Sequence, residues 1–545
     1  MDPITRRLHT AKTLVDAGII RPVRPDKLLR IGMALYRFGP TPAAGYSSAA
    51  IRNPHDVAIV DELGTVTFEE VHLRTNALAH ALSDAGIGEG DGVAIMCRNH
   101  RGFVDVTVAC SKLGAHALYL NTAFAGPQIE DVVQREGPRA IVFDEEFRGL
   151  IGKAGVRRKR FVAWHDEESG DDPTLDELIA AGDPDDVVPP AEPGRVVILT
   201  SGTTGTPKGA SRSQPDTLDP AAALLSKIPL RSRETTMIAA PLFHSWGFAH
   251  FTLGMALTST LVLKRKFDPE ATLSLTAQHQ ATALAVVPVM LQRIVELGPE
   301  VIGRYDLSAL RVIALSGSAL SPSLTEKARE VFGDVLYNLY GSTEVAWAAI
   351  ATPQDLKDAP GTVGRPPRGT IVKLFDEEGN EVPPGETGRI FVANEMLFEG
   401  YTGGGSKDVI DGLMATGDVG HFDESGRLFV DGRDDEMIVS GGENVFPQEV
   451  EELLGRHDAV ADAAVFGVED EEFGQRLKAV VVKRDGGQLD EDDVKGYVKK
   501  HLARYKVPRE VEFVDDLPRN ATGKVLKREL AKPPEEREAG APQGG

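Results

Sequence analysis

Apolar residues along most of this chain follow two alternating rhythms. Short continuous runs, such as Gly92–Met96, Ala117–Leu120, Ala140–Phe143 and Arg195–Leu199, read as buried strands. Between them lie stretches with apolar positions three and four residues apart, among them Gly102–Leu113, which read as helices. Val57–Val60 and Thr65–Thr67 form a hairpin pattern, and Thr67 with Glu70 makes a capping box for a helix to about Ala85. The rhythm resumes with strands Thr236–Ala240, Thr260–Leu263, Ala283–Val287, Arg311–Leu315 and Val335–Leu339. Val289–Leu297 reads as a helix, and Ser321-Pro322 begins another, with Ser as cap and Pro in the first turn. Strands alternating with helices predict an α/β chain built on doubly wound, mostly parallel sheets.

The rhythm breaks at four places. Residues 165–194 are acidic and proline-rich, and read as a linking loop. After Gly361 come short strands and turns, Ile371–Phe375, Arg389–Val392 and Leu428–Val430, expected to form a β subdomain. After Arg433 a unit of about a hundred residues, enough for one small α+β domain, carries helix Pro447–Gly455, strands Ala461–Gly467 and Lys478–Lys483, helix Asp490–Ala503 and strand Glu510–Val514. From Pro533 the chain is Pro-, Glu- and Gly-rich, an expected disordered tail. The expected division is an arm at 1–45, a large domain at 46–433, a hinge at 434–436, a small mobile domain at 437–532 and the tail at 533–545.

The arm carries eight cations (Arg6, Arg7, Lys12, Arg21, Arg24, Lys27, Arg30, Arg37) against Asp2, Asp16 and Asp26, with apolar residues at loosely helical spacing. Such a segment either lies on an anionic membrane surface or packs on the acidic body of its own or a partner subunit.

Composition bounds the rest. A chain of 545 residues exceeds one core. Net charge of −22 excludes a nucleic-acid partner, because phosphate backbones need a basic surface. Two cysteines, Cys97 and Cys110, make neither a disulfide framework nor a metal set and point to a reducing compartment. No run approaches the roughly 18 apolar residues of a membrane span, so the expected location is the cytoplasm, with a peripheral place at the inner face of the membrane left open by the arm.

The stretch richest in chemistry follows the run ending at Leu199: Thr-Ser-Gly-Thr-Thr-Gly-Thr-Pro-Lys-Gly, residues 200–209. Glycines let backbone N–H groups turn toward a ligand. Hydroxyls of Thr200, Ser201, Thr203, Thr204 and Thr206 add donors, and Lys208 adds a mobile cation, which together suit a polyphosphate. It is not a Walker A loop, since Pro207-Lys208-Gly209 replaces Gly-Lys-Ser/Thr.

With Tyr340-Gly-Ser-Thr-Glu344, Thr416-Gly-Asp418, Gly432-Arg-Asp-Asp-Glu-Met-Ile438 and Asn520-Ala-Thr-Gly-Lys524, the chain from about 50 to 530 resembles an acyl-CoA synthetase of the adenylate-forming superfamily. That resemblance implies activation of a carboxylic acid with Mg-ATP to acyl-AMP and pyrophosphate, then attack by CoA. It implies that Thr200, Ser201, Gly202, Thr203, Thr204, Gly205 and Lys208 hold the β- and γ-phosphates, that Thr343 meets the α-phosphate, and that Tyr340 stacks on adenine beside Gly341 and Ser342. Glu344 is then the Mg²⁺ ligand, Gly317, Ser318 and Ala319 line the adenine and acyl sites, and Asp418 with Arg433 holds the ribose. Ser318 stands where the family more often has a second Gly. The run between Tyr401 and Asp418, with Gly403-Gly404-Gly405 and Leu413, departs from the family's longer segment with a Trp.

By the same resemblance Asp435 is the hinge, Lys524 the catalytic lysine of adenylation, and Gly441, Gly442 and Glu443 the wall of the pantetheine channel. Pro241–Phe248 becomes the acyl wall, with His244 gating pantetheine and Trp246 and Phe248 lining an apolar pocket. The resulting expectation is a medium- to long-chain fatty acid–CoA ligase using ATP, Mg²⁺ and CoA, with a homodimer and the arm's membrane contact as the macromolecular contacts it admits. A carrier-protein ligase and an aryl- or coumarate-CoA ligase are the enzymatic rivals. A degenerate nucleotide-binding scaffold is the non-enzymatic one, and it would have lost Lys208, Glu344, Asp418 or Lys524, all of which are present.

Overall fold

The computed structural model describes residues 3–166, 170–200, 208–212, 215, 217–434, 438–440, 443–470, 474–484, 486–520 and 523–532. Two large mixed sheets and a small β subdomain make up the N-terminal domain, and a smaller α+β domain follows.

The first sheet has eight strands. Its parallel body runs Leu336–Tyr340, Val312–Leu315, Ala283–Val286, Thr235–Ile238, Thr260–Leu263 and Val57–Asp61, closed by antiparallel edges at Ala349–Ala351 and Gly64–Thr67. The second has seven. Val196–Thr200, His116–Tyr119, Gly92–Met96, Ala140–Asp144 and Lys159–Trp164 are parallel, and Lys208–Arg212 and Gly400–Tyr401 extend it antiparallel. The alternating pattern thus yields two doubly wound sheets, each buried on both faces as parallel strands require.

Helices Pro42–Arg52, Arg101–Leu113 and Ser245–Leu257 contribute to the core joining the sheets, where Tyr46, Phe103 and Phe251 are fully buried. Asn99, in the loop after Gly92–Met96, ties one sheet to the other. Its side chain donates to Ile238 O (3.2 Å) and Ala240 O (2.9 Å) and accepts from Leu242 N (2.8 Å), so all three bonds fix the segment leading to Pro241–Phe248.

The β subdomain pairs Ile371–Phe375, Gly388–Ala393, Leu413–Phe422 and Val409–Ile410, with Leu428–Arg433 on Leu413–Phe422. The C-terminal sheet pairs Val460–Asp470 with Gly474–Lys483, flanked by Glu510–Val514 and Ile438–Ser440 and by helices Pro447–Leu454 and Glu491–His501.

Two expectations change, and the arm takes one of the two places expected for it. Residues 165–194 are not all loop: Leu175–Ala181 is a helix, because Thr174 and Glu177 close a capping box on it. Pro241–Phe248 is not a plain wall segment, since Ser245 opens a helix to Leu257. The arm forms two helices, Pro3–Asp16 and Pro25–Phe38, and packs on its own chain: Leu14, Ala17 and Ile19 enter the core beside Leu224 and Leu225, and Ala17 O accepts from Ser232 N (2.8 Å). The expected hinge at Asp435 and the tail from Pro533 lie outside the described residues.

Burial holds two histidines neutral. His250 is fully buried and His72 is half-buried, and burial pulls each down to about 4. A folded-state value below the unfolded one contributes stability above about pH 6.5, lost as pH falls toward 4, because only the unfolded chain takes up the proton there. For His250 the contribution is on the order of 3 kcal/mol. The urea midpoint is therefore expected to drop between pH 7 and pH 5, before most carboxylates titrate. An unchanged midpoint across that interval would mean that these imidazoles reach solvent.

Candidate functional site

The strand Leu336–Tyr340 ends at a turn, 341–344, whose sequence dictates its shape. A Cβ at Gly341 would lie 2.2 Å from Ala346 O, so only glycine fits. Ser342 Oγ accepts from Glu344 N (3.2 Å) and Val345 N (3.4 Å), and Phe398 N donates to Glu344 O (2.7 Å). The turn projects Thr343 and Glu344 into a cleft of about 2540 Å³ shared by Lys208, Tyr340, His244 and Lys524.

Glu344 is buried, and its Oε1 accepts from Tyr401 Oη (2.8 Å). The Lys208 ammonium sits over the same Tyr401 ring, 5.2 Å from its centre. Lys208 and Glu344 thus flank one tyrosine, a cation and an anion spaced by an aromatic ring. Strand Lys208–Arg212 supplies a second cation. Arg212 donates to Thr343 O (2.7 Å), its buried Nε has no hydrogen-bond partner among the described residues, and burial pulls its guanidinium down to about 10. Thr343 Oγ1 accepts from Ser245 Oγ (3.4 Å) at the start of the Ser245–Leu257 helix.

The carboxylate of Asp418 is set by strand register. Asp418 pairs with Arg433 across the antiparallel ladder of Leu413–Phe422 and Leu428–Arg433, and Arg433 donates to its Oδ1 (3.1 Å). Tyr340 Oη donates to Oδ2 (2.6 Å) and lies 3.2 Å from the Thr416 hydroxyl. Burial raises Asp418 above the ordinary carboxylate range, while Arg433, Tyr340 and Lys524 oppose that shift. Burial and the neighbouring Asp418 hold the Tyr340 phenol well above its usual value, so it stays a donor.

Lys524 lies on the C-terminal domain, at a turn closed by Asn520 N donating to Lys524 O (2.9 Å) and Lys524 N donating to Asn520 Oδ1 (2.9 Å). Gly523 has φ of 80°, and a Cβ there would come within 2.3 Å of the Val289 side chain. The lysine-bearing turn is therefore docked tightly on the N-terminal domain, and a side chain at 523 would prevent that contact.

Toward the other end, His244 touches Asn121 (3.5 Å), and burial pulls it down to about 4, leaving it neutral at physiological pH. Trp246 Nε1 donates to Val286 O (3.1 Å), so its ring is pinned against the sheet floor, while Phe248 packs on Tyr119 (5.4 Å between centres). Past them the cleft continues along Leu253, Met255 and Ala256 and reaches Pro40, Thr41 and Pro42 after the arm.

Gly317, Ser318 and Ala319 line this cleft, as do Gly341, Ser342 and Thr343. Ser201, Gly202, Thr203, Thr204, Gly205, Asp435, Gly441 and Gly442 lie outside the described residues, as do the side chains of Thr200 and Glu443. Sequence reading missed Tyr401, Arg212 and Asn121. For Tyr401 the departing run after it hid the signal; for Arg212 the signal was a second cation closing the short strand that Lys208 opens. One other cluster of metal-ligand types occurs among the described residues, Cys97, His100 and Asp144, all buried. His100 Nδ1 accepts from Gly102 N (3.1 Å) and its Nε2 donates to Asp144 Oδ1 (2.8 Å), so both ring nitrogens are engaged and the cluster ties together the ends of two strands.

Comparison with known proteins shows the family and the fold. The family described as AMP-binding enzyme matches residues 47–402, and that described as AMP-binding enzyme C-terminal domain matches 449–524. The chain is 31% identical over 500 residues to the fatty acid–[acyl-carrier-protein] ligase ScoC of Streptomyces coeruleorubidus, covering 88% of this chain and 94% of that protein. It is 32% identical over 488 residues to a feruloyl-CoA synthase of an Amycolatopsis species, covering 88% and 96%. Its fold matches o-succinylbenzoate CoA synthetase of Bacillus subtilis in complex with its acyl-adenylate, with a TM-score of 0.79, 27% identity, and coverage of 90% and 98%.

Proposed function

The chain belongs to the AMP-binding enzyme family of adenylate-forming acid–CoA ligases, and from that premise we propose that its acid is a medium- to long-chain fatty acid. The observation that carries this reading is the apolar arm of the cleft. It runs from His244 past Phe248, Leu253 and Met255 to Pro42, and the helix forming its wall, Ser245–Leu257, contains no Asp, Glu, Lys or Arg. A single-ligand pocket is commonly about 300–1,000 Å³, and this cleft is larger, as ATP and an extended acid together require.

In this reading Lys208 and the segment before it hold the β- and γ-phosphates. Asp418 accepts from the ribose hydroxyls, with Arg433 and Tyr340 fixing its two oxygens. Thr343 meets the α-phosphate, and Arg212 holds that residue's carbonyl. The Mg²⁺ that the family implies fits Glu344: the carboxylate is buried, faces the cleft, and has one oxygen bonded to Tyr401 and the other without a hydrogen bond among the described residues. When bound there, the cation neutralises phosphate charge. Lys524 faces the same cleft and supplies positive charge where the acid attacks phosphorus.

A second reading, an aromatic acid, is favoured by the feruloyl-CoA synthase likeness, and a carrier-protein acceptor by the ScoC likeness. Pyrophosphate release across acetate, octanoate, palmitate, ferulate and indoleacetate, each with and without CoA, separates them. Highest kcat/KM with octanoate or palmitate, and thioester formed with free CoA, is the expected result. Preference for ferulate would replace the fatty acid by an aryl acid, and adenylate that free CoA does not discharge would favour a carrier protein.

The CoA phosphates need a local cluster of cations on a chain whose net charge is −22. Lys499, Lys500 and Arg504 are exposed at the end of helix Glu491–His501 and just after it. Charge reversal at Lys500 and Arg504 is expected to raise KM for CoA about tenfold at low salt, with the effect shrinking as exposed charges are screened beyond about 8–10 Å. An unaltered CoA dependence would reduce these residues to a solvated helix face.

A further inference from the structure

The Pro25–Phe38 helix buries Ile31, Ala34 and Phe38 and turns its other face outward. On that outer face Pro25, Leu28, Leu29, Gly32, Met33 and Tyr36 line one shallow apolar groove, at the i, i+3, i+4, i+7 spacing of a single helix face. Tyr36 is 92% exposed, Leu29 67% and Leu28 60%. Leu8 and Val15 of the preceding helix are exposed as well. A soluble surface rarely leaves so many large apolar side chains together without a partner.

Charge says which partner. The arm has eight basic side chains against three acidic ones, a net charge of +5, on a chain whose total is −22. Arg24, just before the helix, and Arg30 within it are exposed beside the stripe, Arg24 in an ion pair with Asp26 (3.1 Å). An apolar stripe edged by cations is the pattern of a helix lying in the headgroup region of an anionic bilayer. A second copy of the chain fits less well. A two-fold contact would set the same net-positive arm against itself, like charge on like charge.

Position adds a reason. The helix is capped at Gly39, and the next three residues, Pro40, Thr41 and Pro42, line the far end of the acyl arm of the cleft. Pro40 lines the cleft and is exposed, four residues past Tyr36 at the end of the stripe, while Thr41 and Pro42 are buried. We propose that the Pro25–Phe38 helix docks on an anionic lipid surface and places the open end of the cleft against it, so that a membrane-dissolved fatty acid enters at Pro40. The entry route rests on the fatty-acid reading above; the docking surface does not.

The test uses the full chain and a Leu29→Glu/Met33→Glu variant, whose substitutions fall on exposed side chains and spare the folded core. The wild type is expected to co-sediment with vesicles of phosphatidylglycerol in phosphatidylcholine, at least about tenfold more than with phosphatidylcholine alone, and less at high salt. The variant is expected to lose about tenfold of that binding. It is also expected to lose about tenfold of kcat/KM on palmitate presented in the same vesicles, with kcat on soluble octanoate unchanged. Equal sedimentation of variant and wild type would overturn the proposal. So would a lipid-free dimer, seen by analytical ultracentrifugation, that only the variant loses, because the stripe would then meet a second copy. Binding that is lost in the variant, with no turnover of either fatty acid by the wild type, would keep the docking surface and sink the fatty-acid reading instead.

Discussion

Lys524→Ala is expected to slow adenylation by about 10²–10³, roughly 3–4 kcal/mol, the usual cost of removing one preorganised charge from a developing anion. Conversion of supplied acyl-AMP and CoA to thioester is expected to survive in the same variant. The asymmetry follows from where the lysine sits. It belongs to the C-terminal domain, yet here it faces the cleft with Asp418 and Glu344, held there by the Gly523 turn wedged against Val289. A small domain that turns away after the first step takes Lys524 with it. The two half-reactions are measured separately, by pyrophosphate exchange and by single-turnover thioester formation. Equal loss in both would make Lys524 a structural residue and remove the need for domain rotation.

Glu344→Ala is expected to reduce kcat/KM for adenylation by about 10², on the order of 3 kcal/mol, and to raise the Mg²⁺ concentration needed for half-maximal rate. The physical reason is that the carboxylate is the acid bonded to Tyr401 across from Lys208. Removing it would take away the carboxylate oxygen that would hold the cation neutralising phosphate charge. Tyr401→Phe keeps the carboxylate and loses only its bond, about 1 kcal/mol, so a several-fold loss is expected there. A Glu344→Ala enzyme with normal pyrophosphate exchange and an unshifted Mg²⁺ dependence would exclude Glu344 from the metal site.

Much of the scaffold was legible because parallel strands advertise themselves. Gly92–Met96, Thr260–Leu263 and Glu510–Val514 fall where the apolar runs put them. Local caps were also readable: Thr67 with Glu70, and Ser321 accepting from Leu324 N. Asp418 and Arg433 could be named from their motifs, but their pairing across a ladder fifteen residues apart is a matter of register that spacing alone leaves open. Arg212 meets Thr343 across 131 residues and Tyr401 meets Glu344 across 57, so no window along the chain contains either pair. The arm shows the same limit. Its spacing announced a helix with a basic edge, yet one apolar set, Ile31, Ala34 and Phe38, is buried while Leu28, Leu29 and Met33 are exposed. Only the packed fold distinguishes the two faces. The Leu175–Ala181 helix was readable through Thr174 and Glu177, and was hidden by the acidic, proline-rich run around it.

In the proposed reaction one cleft activates an acid as its adenylate and then passes it to CoA. Mixing the full chain with Mg-ATP and palmitate without CoA, then resolving the nucleotides and the bound acyl species by mass spectrometry, tests it most directly. Pyrophosphate and an enzyme-bound palmitoyl-AMP in near-stoichiometric amount are expected, converted to palmitoyl-CoA and AMP when CoA is added. Formation of ADP and phosphate, or thioester appearing with no adenylate before it, would contradict the proposed reaction.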